Sequence, residues 1–288
     1  MITCKMMGGL GNNLFQLAAI YNLHKKHNIP YYTPSSITRL TFDGGLLMYE
    51  KRFKQSTRYE IPLLFENDFN YYDNDKQASL NMSMYNHRDL NGVYEYQELP
   101  ALENTIYNGY FQSDKYFSDF DIRKEWKIKE KIIKYINHTY KELHEKPTIS
   151  LHFRIAGDRK LERIQHFHGN VPLSFYEEGI ENILKIQNKS LDDYNILLFS
   201  DNIKEAQEFF APTGIKAYAA SGKNNIEDFV HMGLCTHNII GNSTYGWWAA
   251  YMNKNDNKTV VAPKSYFYGP GYDHFNLVDF FPQDWVTL

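Results

Sequence analysis

Three short clusters in the second half of the chain carry residue types suited to a negatively charged ligand. The first is His152-Phe153-Arg154, with Gly157-Asp158 close behind. If the chain is extended up to Phe153, alternation points His152 and Arg154 to the same side. A forked, permanently charged guanidinium at a strand end, followed by a glycine turn, suits a pyrophosphate; it suits a structural salt bridge equally. The second cluster is Ser200-Asp201-Asn202, directly after Ile196-Leu197-Leu198. A carboxylate there could accept from a ribose hydroxyl or a guanine edge, or Ser200 or Asp201 could cap the next helix. The third is Asn242-Ser243-Thr244, ahead of Tyr245-Gly246-Trp247-Trp248. Backbone N–H groups and hydroxyls at a helix start form an anion site, and capping the helix is compatible with that use.

Other patterns fall short of their signatures. Gly9-Leu10-Gly11-Asn12-Asn13-Leu14 has Leu where a dinucleotide fingerprint needs its third glycine, and no acid follows the next strand to hold a ribose. Gly222-Lys223-Asn224 lacks the Ser/Thr and the upstream glycine of a P-loop. Asp119-Phe120-Asp121 has the spacing of a metal-bridging pair but follows Ser118, where acids suit the first turn of a helix. His166-Phe167-His168 offers two imidazoles without a third ligand at useful spacing. No metal site is expected.

The elements that must position these clusters follow from periodicity. Residues 148–153, 195–199, 215–218, 237–241 and 259–262 read as short strands with helical stretches between them, which predicts a doubly wound parallel sheet. Each cluster then lies at the carboxyl end of a strand, where open α/β sheets bind ligands. Upstream, residues 2–6 read as a strand and Gly8-Gly9-Leu10-Gly11 as a tight turn. A helix follows, carrying Leu14, Leu17, Ala18 and Tyr21, with Lys25-Lys26-His27 in its last turn and Asn28 as its stop. Strands are expected at 29–32 and 105–111, and residues 35–105 show little periodicity. From Ser118 a helix is expected, with Ile128, Ile132, Ile136, Tyr140 and Leu143 on one stripe and Pro147 closing it. The chain thus divides into an α/β domain over 1–125, a second over 126–270, and a tail, 271–288, that packs back on the first.

Composition bounds the class. In 288 residues, 31 Lys and Arg against 34 Asp and Glu leave a formal charge of −3, which argues against a dedicated nucleic-acid binder. At 43% hydrophobic and 23% charged, the chain supports a large core. Aromatics, at 16%, suit sugar stacking and an ordinary core alike. Two distant cysteines, Cys4 and Cys235, give neither a disulfide framework nor zinc spacing, so a reducing compartment fits. No signal peptide and no membrane span are expected. Together the three clusters describe a cation, a ribose or base acceptor and a phosphate cradle, the parts of a sugar-nucleotide transferase that uses arginine and helix dipole in place of a divalent ion.

The same residues resemble the α-1,2-fucosyltransferases, glycosyltransferase family eleven. Gly8-Gly9-Leu10-Gly11-Asn12-Asn13-Leu14-Phe15-Gln16 is similar to that family's N-terminal signature. So are Gly109-Tyr110-Phe111-Gln112-Ser113-Asp114-Lys115-Tyr116-Phe117, the three clusters, the stretch from His168 to Leu173, the run from His237 to Trp248, and Val261-Ala262-Pro263-Lys264. The resemblance implies a GT-B fold, two Rossmann-like domains facing a cleft, with GDP-β-L-fucose held mainly by the C-terminal one. It implies transfer of L-fucose with inversion, without a metal or other cofactor, to the hydroxyl of a glycan acceptor, commonly O2 of a terminal galactose. Arg154 matches the arginine that holds the donor phosphates, and His152 and Asp158 match the histidine and acid of the same motif. Ser200, Asp201, Asn202, Asn242, Ser243 and Thr244 complete the donor set; Gly9, Gly11, Asn12, Asn13 and Gln16 form the N-terminal loop. Asp158, Glu162 and His168 are the candidates for a general base. The chain departs from the family's His-x-Arg-Arg-Gly-Asp, since Ile155-Ala156 separate Arg154 from Gly157. Asn13 stands where glutamine is usual, which implies a different acceptor preference, and Gly246 where serine is frequent. Lacking the membrane anchor of the animal members, the chain is expected in the cytoplasm, or peripheral to a membrane bearing lipid-linked glycans. Two other readings stand beside this one: a GT-B transferase with another nucleotide sugar or linkage, and an inactive carbohydrate-binding relative.

Overall fold

Two parallel sheets organise the chain in a computed structural model that describes residues 1–34, 60–72, 82–91, 94–222, 224–269 and 277–288. The chain divides into two units, Met1–Lys127 and Ile128–Leu288.

In the first unit, β1 (Ile2–Cys4) is followed by α1 (Leu10–His27). Gly8 enters the helix with φ +76°, a conformation glycine adopts without strain. Asn28 ends it in the left-handed region at φ 54°, after a last turn that carries Lys25, Lys26 and His27. Leu14, Phe15, Leu17 and Ala18 are fully buried. The strand expected at 29–32 shrinks to one bridge, Ile2 to Tyr31, in which the Ile2 amide donates to the Pro30 carbonyl and the Tyr32 amide to that of Ile2. A two-stranded pair forms just beyond it, between β2 (Thr33–Pro34) and β3 (Tyr71–Tyr72). The main sheet has the order β1-β5-β4, with β4 at Ser83–Asn86 and β5 at Thr105–Asn108. β5 stops short of the expected residue 111, where Phe111 turns with φ 54°. The long helix expected from Ser118 is broken into a turn at Ile122–Glu125 and α2 (Glu130–Thr139). Asp121 caps that turn, accepting from the Arg123 amide at 3.1 Å, while Asp119 accepts from Asn22 Nδ2 at 2.9 Å.

The second unit is built on β6 (Thr148–Phe153), β7 (Asn195–Ser200), β8 (Ala217–Ala219), β9 (His237–Ile240), β10 (Val260–Ala262) and β11 (Val286–Thr287). All pair in parallel, in the order β11-β10-β9-β6-β7-β8. The chain therefore builds outward from β6 through β7 and β8, then returns to the other side of β6 with β9. That reversal makes a topological switch point between β6 and β9. α3 (Glu162–His168), α4 (Leu173–Gln187), α5 (Ile203–Phe210), α6 (Asn225–Leu234) and α7 (Thr244–Tyr251) are the connecting helices. Ile149, Leu151 and Phe153 of β6 pack with Phe175, Tyr176, Ile180 and Ile183 of α4 in one core cluster.

The described tail residues, 277–288, correct the expectation for 271–288. They close the second sheet: β11 pairs with β10, and the Leu288 amide donates to the Ala262 carbonyl at 3.1 Å. Without them β10 would present an unpaired edge.

Candidate active site

The carboxyl ends of β6, β7 and β9 bring the three sequence clusters together. Arg154 leaves β6 and pairs with Asp201 at the end of β7; the two side chains are 32% and 22% exposed. Asp201 is more committed than its sequence position suggests. Its Oδ1 accepts from the amides of Ile155 and Ala156 at 3.1 and 3.2 Å, and Oδ2 accepts from Arg154. It therefore holds the turn after β6. Ser200 Oγ accepts from the Asn202 amide at 3.0 Å, and Asn202 caps α5 by accepting from the Glu205 amide at 3.3 Å. Both act as local fasteners in this structure.

On the other flank, Ser243 caps α7 by accepting from the Tyr245 amide at 3.3 Å, and the Thr244 amide donates to the Tyr266 hydroxyl at 3.2 Å. Asn242 is buried; its side-chain amide donates to the carbonyls of His168 at 3.0 Å and Tyr266 at 3.1 Å. It joins the scaffold beneath the helix start.

His152 is likewise buried, at 4% exposure, with no hydrogen-bond partner on Nδ1 among the described residues. Burial pushes its pKa down to about 4, so the ring is neutral at physiological pH. It lies against α7: a Cβ on Gly246 would sit 2.7 Å from Nδ1. Strand alternation does turn His152 away from the α4 face, but towards α7 and not into an open site. Gly246→Ala is expected to displace the ring at a cost of about 1–3 kcal/mol, read as a lower midpoint in urea.

The base candidates are unevenly placed. Glu162 is exposed in the first turn of α3. The His168 ring stacks on Phe267, with centroids 5.3 Å apart. The side chain of Asp158 lies outside the described residues. In the first unit Asn13 and Gln16 are buried: Asn13 Nδ2 donates to the Met7 carbonyl at 3.1 Å, and Gln16 Nε2 to that of Gly109 at 3.0 Å. Asn13 thus locks the loop from within. Asn12 accepts from Gln112 at 2.9 Å, and Gly9 and Gly11 flank the helix start. Among the described residues no group of three or more His, Cys, Asp or Glu could hold a metal ion.

The profile of Glycosyl transferase family 11 matches residues 1–287. The chain belongs to glycosyltransferase family 11. Two curated relatives come from Escherichia coli. The O-antigen biosynthesis glycosyltransferase WbnK is 28% identical over 324 residues, covering 100% of both chains. An alpha-1,2-colitosyltransferase is 22% identical over 311 residues, covering 100% of this chain and 98% of its own. Among solved structures, the NodZ α-1,6-fucosyltransferase of Bradyrhizobium soaked with GDP-fucose matches with a TM-score of 0.53 at 13% identity, over 87% of this chain and 91% of that one. The fold class is GT-B, α/β with parallel sheets. No helix among the described residues is long and apolar enough to cross a membrane.

Two charged residues of this family 11 member escape sequence reasoning. Arg159, 5% exposed, donates to the carbonyls of Asn242 at 2.6 Å and Gly169 at 3.2 Å. In sequence it sits in Asp158-Arg159-Lys160, a run that reads as solvated charge. Asp228 on α6 accepts from the Gly222 amide, and burial pushes its carboxyl up to about 6. Within the sequence, acids there read as the first turn of a helix. An acid raised above its unfolded value of 3.8 keeps its proton longer in the folded state, so its stabilising contribution is lost as pH rises through about 6. Asp228→Asn keeps the acceptor oxygen. Urea melts of the variant are expected to match wild type near pH 4 and to exceed it above pH 6, by on the order of 2 kcal/mol.

Proposed function

We propose that the protein transfers L-fucose from GDP-β-L-fucose to a sugar hydroxyl, O2 of a terminal galactose on a glycan acceptor, with inversion. The observation that carries this reading is the placement of Arg154 and the start of α7 at the ends of β6 and β9, on either side of the switch point. A guanidinium and a helix N-terminus are the two elements that neutralise a diphosphate leaving group. The names of the relatives add the direction: one makes an α-1,2 linkage, one serves O-antigen biosynthesis, and the fold neighbour was soaked with GDP-fucose.

In the proposed step the acceptor oxygen attacks the anomeric carbon as its bond to the diphosphate breaks, and GDP leaves with both bonding electrons. Arg154 exchanges its Asp201 partner for a phosphate oxygen, while Asp201 keeps its grip on the Ile155 and Ala156 amides. The hydroxyl proton passes to Asp158, Glu162 or His168. The reaction is proposed to need no metal, with Arg154 and α7 carrying the charge a divalent ion would carry, and to act in the cytoplasm on soluble or lipid-linked glycans.

The test is GDP release from GDP-fucose in EDTA across galactose-terminated acceptors, with the product linkage read by NMR. Acceptor-dependent release and a new 2-linked fucose support every part of the proposal. Release only from a different nucleotide sugar, such as the colitose donor suggested by the second relative's name, would replace the donor.

A further inference from the structure

Arg154 and Arg159 leave the end of β6 in opposite directions. Arg154 reaches sideways to β7 and stays a third exposed, so a ligand can touch it. Arg159 turns back under the β9 side. Its guanidinium is buried and donates from Nη2 to the carbonyl of Asn242 and from Nη1 to the carbonyl of Gly169. Asn242 in turn spends its side-chain amide on the carbonyls of His168 and Tyr266, and the Tyr266 hydroxyl accepts from the Thr244 amide. The guanidinium therefore ties the residue before the α7 cap to the α3–α4 connection, and Asn242 carries the tie on to the segment after β10. The path runs from Arg159 to Asn242 and, by way of Tyr266, to the Thr244 amide.

A neutral side chain could supply such hydrogen bonds without the cost of taking a full charge out of water. Arginine cannot shed its proton to escape that cost. Burial lowers the proton affinity of His152 and raises the pKa of Tyr266, and the buried guanidinium adds to the first shift and opposes the second. A fixed positive charge beside a helix start adds to the attraction that the amides already exert on an anion.

We propose that Arg159 is a positioning residue for the donor diphosphate: it fixes the carbonyl of Asn242, and with it the start of α7, and places a buried positive charge there that favours phosphate. The inference rests on the GDP-sugar reading above and adds to it a residue outside the expected donor set. It requires that the effect of Arg159 grow with the number of phosphates on the ligand, which a purely structural fastener would not produce.

Calorimetric titration of the full chain with guanosine, GMP and GDP measures this. In Arg159→Gln, GDP affinity is expected to fall about tenfold or more, GMP affinity by less, and guanosine affinity by no more than about twofold. Equal losses for all three ligands, or an unchanged GDP affinity, would overturn the assignment. Should the Gln variant not fold, Arg159→Lys retains the charge without the fork. Its KM for the donor is expected to rise a few-fold, with the acceptor KM unchanged and kcat close to wild type; a matching rise in acceptor KM would count against the assignment. The wild type separates the two levels. If it binds GDP no more tightly than guanosine, the donor-site reading itself fails; if it prefers GDP and the Gln variant prefers it equally, only the role of Arg159 fails.

Discussion

Arg154→Ala is expected to lower kcat/KM for fucosyl transfer by about 10²–10³-fold while leaving the melting temperature within a few degrees of wild type. The two halves of that expectation have separate causes. Activity falls because the guanidinium is a reachable, forked cation at the end of β6. Stability holds because the partner does not depend on it: Asp201 retains the amides of Ile155 and Ala156, and a partly exposed ion pair contributes only about 0.2–1 kcal/mol. Arg154→Lys keeps the charge without the fork and should fall between. Steady-state kinetics beside a thermal melt check both halves. An unchanged kcat/KM would remove Arg154 from the donor site and leave the Asp201 pair as its whole role.

Trp247→Ala is expected to show the largest loss of stability, about 3–5 kcal/mol. The indole is fully buried on α7, stacked on Tyr251 with centroids 4.9 Å apart and tilted against Trp285 at 5.2 Å. Its Nε1 donates to the Phe280 carbonyl at 3.0 Å, so one side chain both fills the core and moors the segment leading into β11. Removing it empties a large volume and loosens the edge strand that covers β10. Trp247→Phe, which refills part of the volume and lacks the donor, should recover roughly half of the loss. Chemical denaturation of the three proteins distinguishes the contributions. A loss below about 1 kcal/mol for the Ala variant would mean that α7 repacks without its central anchor.

The sequence makes some of this architecture plain and hides the rest for identifiable reasons. β7 is legible because Ile196-Leu197-Leu198-Phe199 is a continuous apolar run buried on both faces, as central parallel strands are. β4 is not, because Ser83, Met84 and Asn86 are exposed and carry no alternation. β11, two residues long, falls below any periodicity. Within the site, the rule that ligands gather at strand ends points to Arg154 and Ser243–Thr244, which follow β6 and β9. Residue type alone cannot tell a carboxylate that binds a ligand from one that holds a turn, and Asp201 proves to be engaged in the second. His152 illustrates a further gap: alternation gives its direction but not the helix lying over it. Arg159 is hidden most completely, since its partners are main-chain carbonyls 10 and 83 residues away, and carbonyls have no sequence signature.

The clustering of Trp247, Trp248 and Trp285 around α7 also sets what intrinsic fluorescence can see. Of the four tryptophans in the chain, these three lie in the second unit, whereas Trp126 alone lies in the first, packed among Phe65, Phe69 and Tyr21. Emission during denaturation therefore follows chiefly the collapse of the α7 neighbourhood, while far-ultraviolet dichroism weighs both units by their backbone. Coincident curves from the two probes would indicate that the units melt as one cooperative block; separated curves would give each unit its own midpoint, with a Trp126→Phe variant assigning them.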